Sequence, residues 1–449
     1  MKNGLRSART WRRISTVIAA TAMVGGALVA CSSTGTGSSG SSDDVAAALA
    51  KGGTITYWSW TPSAKDQVAA FEKAYPKVHV KLVNAGTSND EYTKLQNTIK
   101  AGSGAPDVAQ IEYFALPQFA LSKSLVDLTS FGFDKLKSDY STGSWNDVNI
   151  DGGVYGLPQD SGPMALFYNK AVFDKYGLTV PTTWDQYVAD AKKLHAANPD
   201  AYITSDTGDA GMATSMIWQA GGHPFTVNGT KVGINLQDSG TKKYTAVWNQ
   251  LVENKLLSPV AGWSDDWFKG LGNGTIATLV TGAWMPGNFE ASVPDGSGNW
   301  RVAPMPTYDG KAANAENGGS SQAVLKQSKN QALAAGFLKW LNNSKASTSI
   351  FVKSGGFPST TSDLESSSFL NQAPAYFGGQ KINQVLVDGS KNVLSGWSYL
   401  PYQVYANSVF SDSFSSAYTN GTSLDPALQS WQKALVSYGN QQGFTVTGK

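Results

Sequence analysis

The chain of 449 residues has little of what most surface chemistry needs: one cysteine, three histidines and only 15% charged residues. A single cysteine allows neither a disulfide framework nor a thiolate metal site. The histidines, His79, His195 and His223, are scattered. His79 falls in a strand pattern and His195 in a helical one, so both read as structural. No Gly-x-Ser-x-Gly and no His-Glu-x-x-His occurs, which removes the common serine-hydrolase and zinc-protease signatures. The 17 uncharged residues from Ile14 to Ala30 fall at the short end of the ~20 needed to span a bilayer, and Gly25-Gly26 weakens them further.

What those residues do carry is a leader pattern. Lys2, Arg6, Arg9, Arg12 and Arg13 precede the apolar stretch without any acid, and Leu28-Val29-Ala30-Cys31 ends it. A basic segment, an apolar segment and small residues at the cut site make an export signal. The Leu-Val-Ala-Cys ending resembles a bacterial lipobox, which implies cleavage before Cys31 and a lipid on that residue. Residues 1–30 are thus expected as a signal peptide and 31–51 as a lipidated cysteine with a Ser/Gly-rich tether. Ser32 to Ser42 contains only Ser, Thr and Gly. Its Gly35-x-Gly37-x-x-Gly40 matches a dinucleotide fingerprint by composition alone, with no strand before it and no helix after.

Without the five basic residues of the leader, thirty Lys/Arg stand against 33 Asp/Glu, a formal charge of −3 with no block of either sign. Nucleic acid and anionic lipid are excluded as electrostatic partners on that balance. Aromatics reach 11%, and 13 of 14 tryptophans follow the leader. Aromatic faces pack cores, but they also serve as platforms for the C–H faces of sugar rings.

From Gly52 the pattern alternates. Thr54–Trp60 reads as a strand, Ala64–Tyr75 as a helix, Val78–Val83 as a strand, Asp90–Lys100 as a helix and Asp107–Ile111 as a strand. Strand–helix alternation of this kind marks an α/β fold with a parallel sheet. Ligands on such sheets sit at the carboxyl ends of the strands, which singles out Trp60 and Glu112; Trp58 lies deeper and reads as core. Val148–Pro158 reads as a hairpin on an Asp151-Gly152 turn. Asp147-x-Asn149-x-Asp151-Gly152 begins like a calcium loop, but its twelfth position is Pro158, so the bidentate carboxylate is missing. Further helices are expected over Trp184–Ala197, Lys242–Asn254 and Ala332–Leu341.

Nine phrases, in order over residues 52–360, resemble the extracellular solute-binding proteins of ABC sugar importers, the group that includes maltose-binding protein. They are Gly53-Thr54-Ile55-Thr56-Tyr57-Trp58, Gly104-Ala105-Pro106-Asp107-Val108, Gly152-Gly153-Val154-Tyr155-Gly156-Leu157-Pro158, Leu166-Phe167-Tyr168-Asn169-Lys170, Pro181-Thr182-Thr183-Trp184-Asp185, Gly282-Ala283-Trp284, Pro304-Met305-Pro306, Asn317-Gly318-Gly319 and Gly355-Gly356-Phe357-Pro358. The resemblance implies a periplasmic-binding-protein-like fold: two α/β lobes joined by a three-crossover hinge, with a ligand cleft between them. Lobe 1 is expected over 52–160 and 320–358, lobe 2 over 161–319 and 359–449. The crossovers fall near Gln159–Pro163, Asn317–Gln322 and Gly355–Ser359.

The same resemblance implies reversible sugar binding with no catalytic residue, no cofactor and no metal. The expected ligand contacts are Trp60, Glu112, Gln159, Asp160, Trp218, Trp263, Trp284, Gly319 and Trp397, with Trp218 read as either core or cleft. The expected ligand is an oligosaccharide, the partners are the permease subunits of an ABC transporter, and the chain is a monomer held by Cys31 on the outer face of the cytoplasmic membrane. The rival reading is a surface-tethered glycoside hydrolase working through a carboxylate pair, whose spacing no sequence reveals.

Overall fold

The computed structural model describes residues 41–449. The leader, Cys31 and all but the last two residues of Ser32–Ser42 lie outside the described residues. The tether does not extend to residue 51, because Ser42–Lys51 is a helix, α1. Asp44 N donates to Ser41 Oγ at 3.2 Å and Ser41 N donates to Asp44 Oδ2 at 2.8 Å, a capping box ahead of an alanine-rich run of strong helix formers. α1 lies along the helix Gln331–Asn343, where a Cβ on Gly336 would sit 2.9 Å from Leu49.

Lobe 1 is built on β1 (Gly53–Trp58), β2 (Val78–Val83) and β3 (Val108–Glu112), with α2 (Ala64–Ala74) and α3 (Asn89–Ala101) between them. The sheet runs β2-β1-β3, then Ser320–Val324, then Leu157–Pro158. The first three strands are parallel, and Ser320–Val324 returns antiparallel with Ser320 opposite Glu112. The carboxyl ends of β1 and β3 therefore share one edge, with Trp60 just beyond the first and Glu112 on the second. The Asp151-Gly152 turn has φ of 50° and 83°, both positive as a two-residue type I′ hairpin requires. Asp147 lies in the last turn of the helix Thr142–Val148 and Asp151 sits in the hairpin turn; among the described residues no group of three His, Cys, Asp or Glu could hold a metal ion.

Lobe 2 centres on Met164–Asn169, flanked by antiparallel Thr278–Gly282 and Trp300–Ala303. The C-terminal strand Thr445–Gly448 returns to pair with Lys231–Ile234. Lobe 1 has a core around Ile55, Phe71, Tyr92 and Phe337, and lobe 2 has two large ones, around Trp184, Trp248 and Trp431 and around Phe289 and Trp300. Eight of the thirteen tryptophans after the leader are buried in these cores, so packing uses most of the aromatic surplus.

Three chain crossings join the lobes and bond to one another. Gln159 N donates to the Ser320 carbonyl at 2.9 Å, Asn317 N to the Gly162 carbonyl at 2.7 Å, and Asp160 bridges Pro358. A Cβ at Gly162 would come within 2.3 Å of the Asn317 carbonyl oxygen, so the crossings touch backbone to backbone only because Gly162 has none. The lobes also meet beyond the hinge: the lobe-2 helix Gln403–Ser408 packs on α3, and its Val404 joins the lobe-1 core.

Candidate functional site

At the lobe-1 edge, Gln110 organises the end of β1. Its Oε1 accepts from Ser59 Oγ at 2.7 Å, Thr61 Oγ1 at 2.8 Å and Trp60 N at 3.2 Å, fixing the backbone that presents the half-buried Trp60 ring. Tyr92 from α3 meets that ring edge-on, with centroids 6.3 Å apart. The Tyr92 hydroxyl accepts from Glu112 N at 2.8 Å and donates to Glu112 Oε2 at 3.0 Å. Burial pushes the Glu112 carboxyl up to about 6, against the pull of the Ser88 and Tyr92 hydroxyls, and the charge of lobe-2 Asp209 adds to the rise.

Gln159 and Asp160 sit in the first crossing, where their polar atoms serve the hinge. Gln159 Nε2 donates to Thr61 Oγ1 at 3.0 Å and its Oε1 accepts from Gln322. Asp160 Oδ1 accepts from Ser320 N at 2.7 Å, and its carbonyl accepts from the Tyr113 hydroxyl at 2.6 Å. Burial raises the Asp160 carboxyl to about 7. Gly319, with φ of 96°, lies against the Tyr113 ring, which a Cβ there would meet at 2.7 Å. The need for glycine at 319 is thus explained by Tyr113, without any ligand.

The lobe-2 aromatics form two groups. Trp284 stacks on Trp263 with centroids 5.8 Å apart and planes 24° apart, and Trp267 and Phe268 support Trp263. Trp284 Nε1 donates to the Asn317 carbonyl at 2.7 Å, tying this group to the second crossing. Its indole fits there because Gly282 and Gly318 lack side chains; added Cβ atoms would meet Nε1 at 2.4 and 2.9 Å. Trp263 is 52% exposed and holds φ of 66°, an uncommon backbone for a bulky residue. The second group is Trp218 and Trp397, stacked at 5.2 Å and 6°, with Phe225 and Tyr399 edge-on to Trp397. Trp218 is 6% exposed and its N–H donates to the Leu394 carbonyl at 2.7 Å, so it belongs to the core.

Several participants went unread in the sequence. Tyr399 extends from lobe 2 to pack on the lobe-1 core, near the charges of Asp147, Glu316 and Glu112. Glu316 precedes Asn317, and burial with the nearby Asp147 charge pushes its carboxyl up to about 8; burial also raises Asp147 to about 7. Pairings between segments hundreds of residues apart leave no local signal. The one available cue was the tyrosine after Glu91, an aromatic on the face of α3 that packs on the sheet. A separate groove of about 480 Å³ beside the third crossing is lined by Lys345, Lys353, Glu290 and Phe369, and none of the sequence candidates lines it.

The site thus offers aromatic faces and carboxyl groups, and Lys94, on the same helix as Tyr92, donates to the Ala85 carbonyl. Such a set suits a neutral, hydroxyl-rich molecule.

Comparison with known proteins places these features. The sequence model of the bacterial extracellular solute-binding proteins matches residues 57–348. An ABC-transporter-associated binding protein from B. animalis subsp. lactis, solved in complex with β-1,6-galactobiose, is 48% identical, covers 88% of this chain and 99% of its own, and superposes with a TM-score of 0.83. The galacto-N-biose/lacto-N-biose I-binding protein of Bifidobacterium longum is 29% identical over 88% of this chain and 99% of its own, with a TM-score of 0.78. The arabinooligosaccharide-binding protein of Bacillus subtilis is 27% identical over 354 residues, 74% of this chain and 80% of that protein. The lactose-binding protein of Rhizobium radiobacter is 26% identical over 306 residues, 64% of this chain and 69% of that one. On that match, and on two α/β lobes joined by three crossings, the chain belongs to the bacterial extracellular solute-binding protein family.

Proposed function

We propose that this chain captures a short oligosaccharide between its lobes and delivers it to the permease of an ABC importer, held at the membrane by a lipid on Cys31. The observation that carries the reading is the Trp263–Trp284 stack, an exposed aromatic platform tied by a hydrogen bond to the hinge. A sugar ring lying on it contacts the moving joint, so binding energy and lobe closure are linked. Trp60 and the Glu112 carboxyl complete the site from lobe 1, with charge-assisted or neutral acceptance of hydroxyl protons. β-Linked galactosides are the first class to test, because the 48%-identical relative was solved with β-1,6-galactobiose and another relative is a lactose-binding protein.

The chain from Ser32 onward contains the whole compact unit Gly40–Lys449. Titrating it with β-1,6-galactobiose, lactose, lacto-N-biose and arabinooligosaccharides, by tryptophan fluorescence and calorimetry, should give saturable binding with the sugar recovered intact. Cleaved sugar would favour the glycoside hydrolase reading instead. For the anchor, Cys31→Ser should leave binding unchanged and release the protein from the membrane fraction; a variant that still sediments with membranes overturns the tether.

A further inference from the structure

We propose that the amino-terminal edge of the lobe-1 sheet is a basic face that lies against an anionic lipid surface, a proposal that rests on the membrane-anchoring reading above. Lys51, Lys77, Lys100, Lys123, Lys326 and Lys329 are far apart in the sequence and all exposed. The loop over residues 325–330 gathers them. Asn330 Nδ2 donates to the Thr54 carbonyl at 3.3 Å, at the start of β1, and the neighbouring Gly53 N donates to the Lys77 carbonyl at 2.9 Å. Gln327 Nε2 donates to the Ile99 carbonyl at 2.6 Å, next to Lys100, and Lys326 N to the Ser124 carbonyl at 2.8 Å, next to Lys123. Lys51 closes α1 just before β1 begins. Lys51 and Lys100 also suit the carboxyl ends of their helices. Lys326 and Lys329 instead precede the amino-terminal end of Gln331–Asn343, where the helix dipole favours acids, so local structure does not account for them. Two carboxylates share this edge and both are engaged, Asp107 accepting from Thr56 N and Glu72 from Val80 N, each at 2.8 Å. Among the described residues the ion pairs are Lys170–Asp174, Lys345–Asp363 and Lys391–Asp388, and none of the six lysines takes part in one.

The balance of the whole chain hides this segregation. A formal charge of −3 without a block of either sign excludes anionic lipid only where the charges stay mixed in space, and the fold separates them. In lobe 1, Asp90, Glu91, Glu112 and Asp160 lie toward the carboxyl ends of the strands, and the six lysines lie toward the opposite ends. A basic patch meets a negatively charged bilayer only at close range, because the attraction fades within a Debye length. The lipid on Cys31 supplies that range. Ten residues, Ser32–Ser41, separate Cys31 from α1, and ten residues span at most about 35 Å. α1 packs on Gln331–Asn343, so the anchor holds lobe 1 and gives its lysines a high effective concentration at the surface. Trp60 and Glu112 stand at the other ends of β1 and β3. A lobe lying on its basic edge therefore turns the sugar site away from the lipid, and delivery to a permease requires it to lift off.

The test uses the chain from Ser32 onward, without lipid, sedimented with vesicles of phosphatidylcholine alone or of phosphatidylcholine with phosphatidylglycerol. At about 25 mM salt it should sediment at least fivefold more with the anionic vesicles, and at about 150 mM salt that excess should vanish. Lys51→Gln, Lys77→Gln, Lys326→Gln and Lys329→Gln combined should weaken anionic-vesicle binding at least tenfold. The same change of charge on lobe 2, Lys242→Gln, Lys243→Gln, Lys311→Gln and Lys433→Gln combined, should weaken it less than twofold, and both variants should melt as wild type does. Equal sedimentation with the two kinds of vesicle, or equal losses in the two variants, overturns the proposal and leaves the Cys31 anchor standing, since a lipid anchor holds at about 150 mM salt and the lysines alone do not. Full-length wild type that stays out of the membrane fraction at about 150 mM salt overturns the anchoring reading and this proposal together.

Discussion

Two tryptophan stacks in lobe 2 look alike as pairs and differ in everything around them. Trp218 and Trp397 are nearly parallel at 5.2 Å, and Trp263 and Trp284 are stacked at 5.8 Å. The first pair has one member 6% exposed, its N–H held by the Leu394 carbonyl and its partner wedged between Phe225 and Tyr399. The second has one member 52% exposed and the other bonded to the hinge at Asn317. Stacking geometry alone therefore does not separate a core from a binding platform. Exposure and the identity of the N–H acceptor do.

The comparison is sharpest where the expected effect is largest. Trp218→Ala removes a buried indole and should cost about 3–5 kcal/mol in denaturant unfolding, with the sugar affinity of the folded fraction within twofold of wild type. A large affinity loss would move Trp218 into the cleft. Trp284→Ala should reverse the pattern, weakening binding at least tenfold, about 1.4 kcal/mol, with a smaller change in stability. Equal affinity in wild type and variant would remove the platform.

A pH series separates the hinge from both stacks. Burial holds Asp160 and Asp147 at about 7 and Glu316 at about 8, against ordinary values of 3.8 and 4.5. The folded chain therefore keeps protons that the unfolded chain releases. The stabilising contribution is fully present below the ordinary carboxylate range and is lost as pH rises toward about 8. Thermal melts should fall by a few degrees from pH 5.5 to pH 8, and Glu316→Gln should flatten the slope. A melting point that rises over that window contradicts the assignment. The smallest effect is expected at the lip: Trp263→Ala should weaken binding about threefold, about 0.6 kcal/mol, with no fall in melting temperature.

Much of the lobe-1 scaffold was legible locally. Alternation located β2 and β3, Asp151-Gly152 announced its hairpin, and Thr183 with Gln186 forms the capping box that starts Trp184–Ala197. The family was legible from nine short phrases in order. α1 was hidden because the Ser/Gly stretch runs into it, and only the Ser41–Asp44 box marks where flexible composition ends. The aromatic count misled in part, since eight buried tryptophans pack cores. Gln159, Asp160 and Gly319 lie at the crossings. At those crossings their polar groups or their lack of a side chain satisfy neighbouring protein atoms. Tyr92 and Tyr399 could not be placed, because what distinguishes them is contact across the chain.

The central claim is that the Trp263–Trp284 stack binds sugar while the Trp218–Trp397 stack holds lobe 2 together. The most direct measurement is a side-by-side calorimetric titration of wild type, Trp284→Ala and the packing-conservative Trp218→Phe with β-1,6-galactobiose. The account predicts at least tenfold weaker binding for Trp284→Ala and affinity within twofold of wild type for Trp218→Phe. Unchanged binding by Trp284→Ala together with a loss in Trp218→Phe would contradict it.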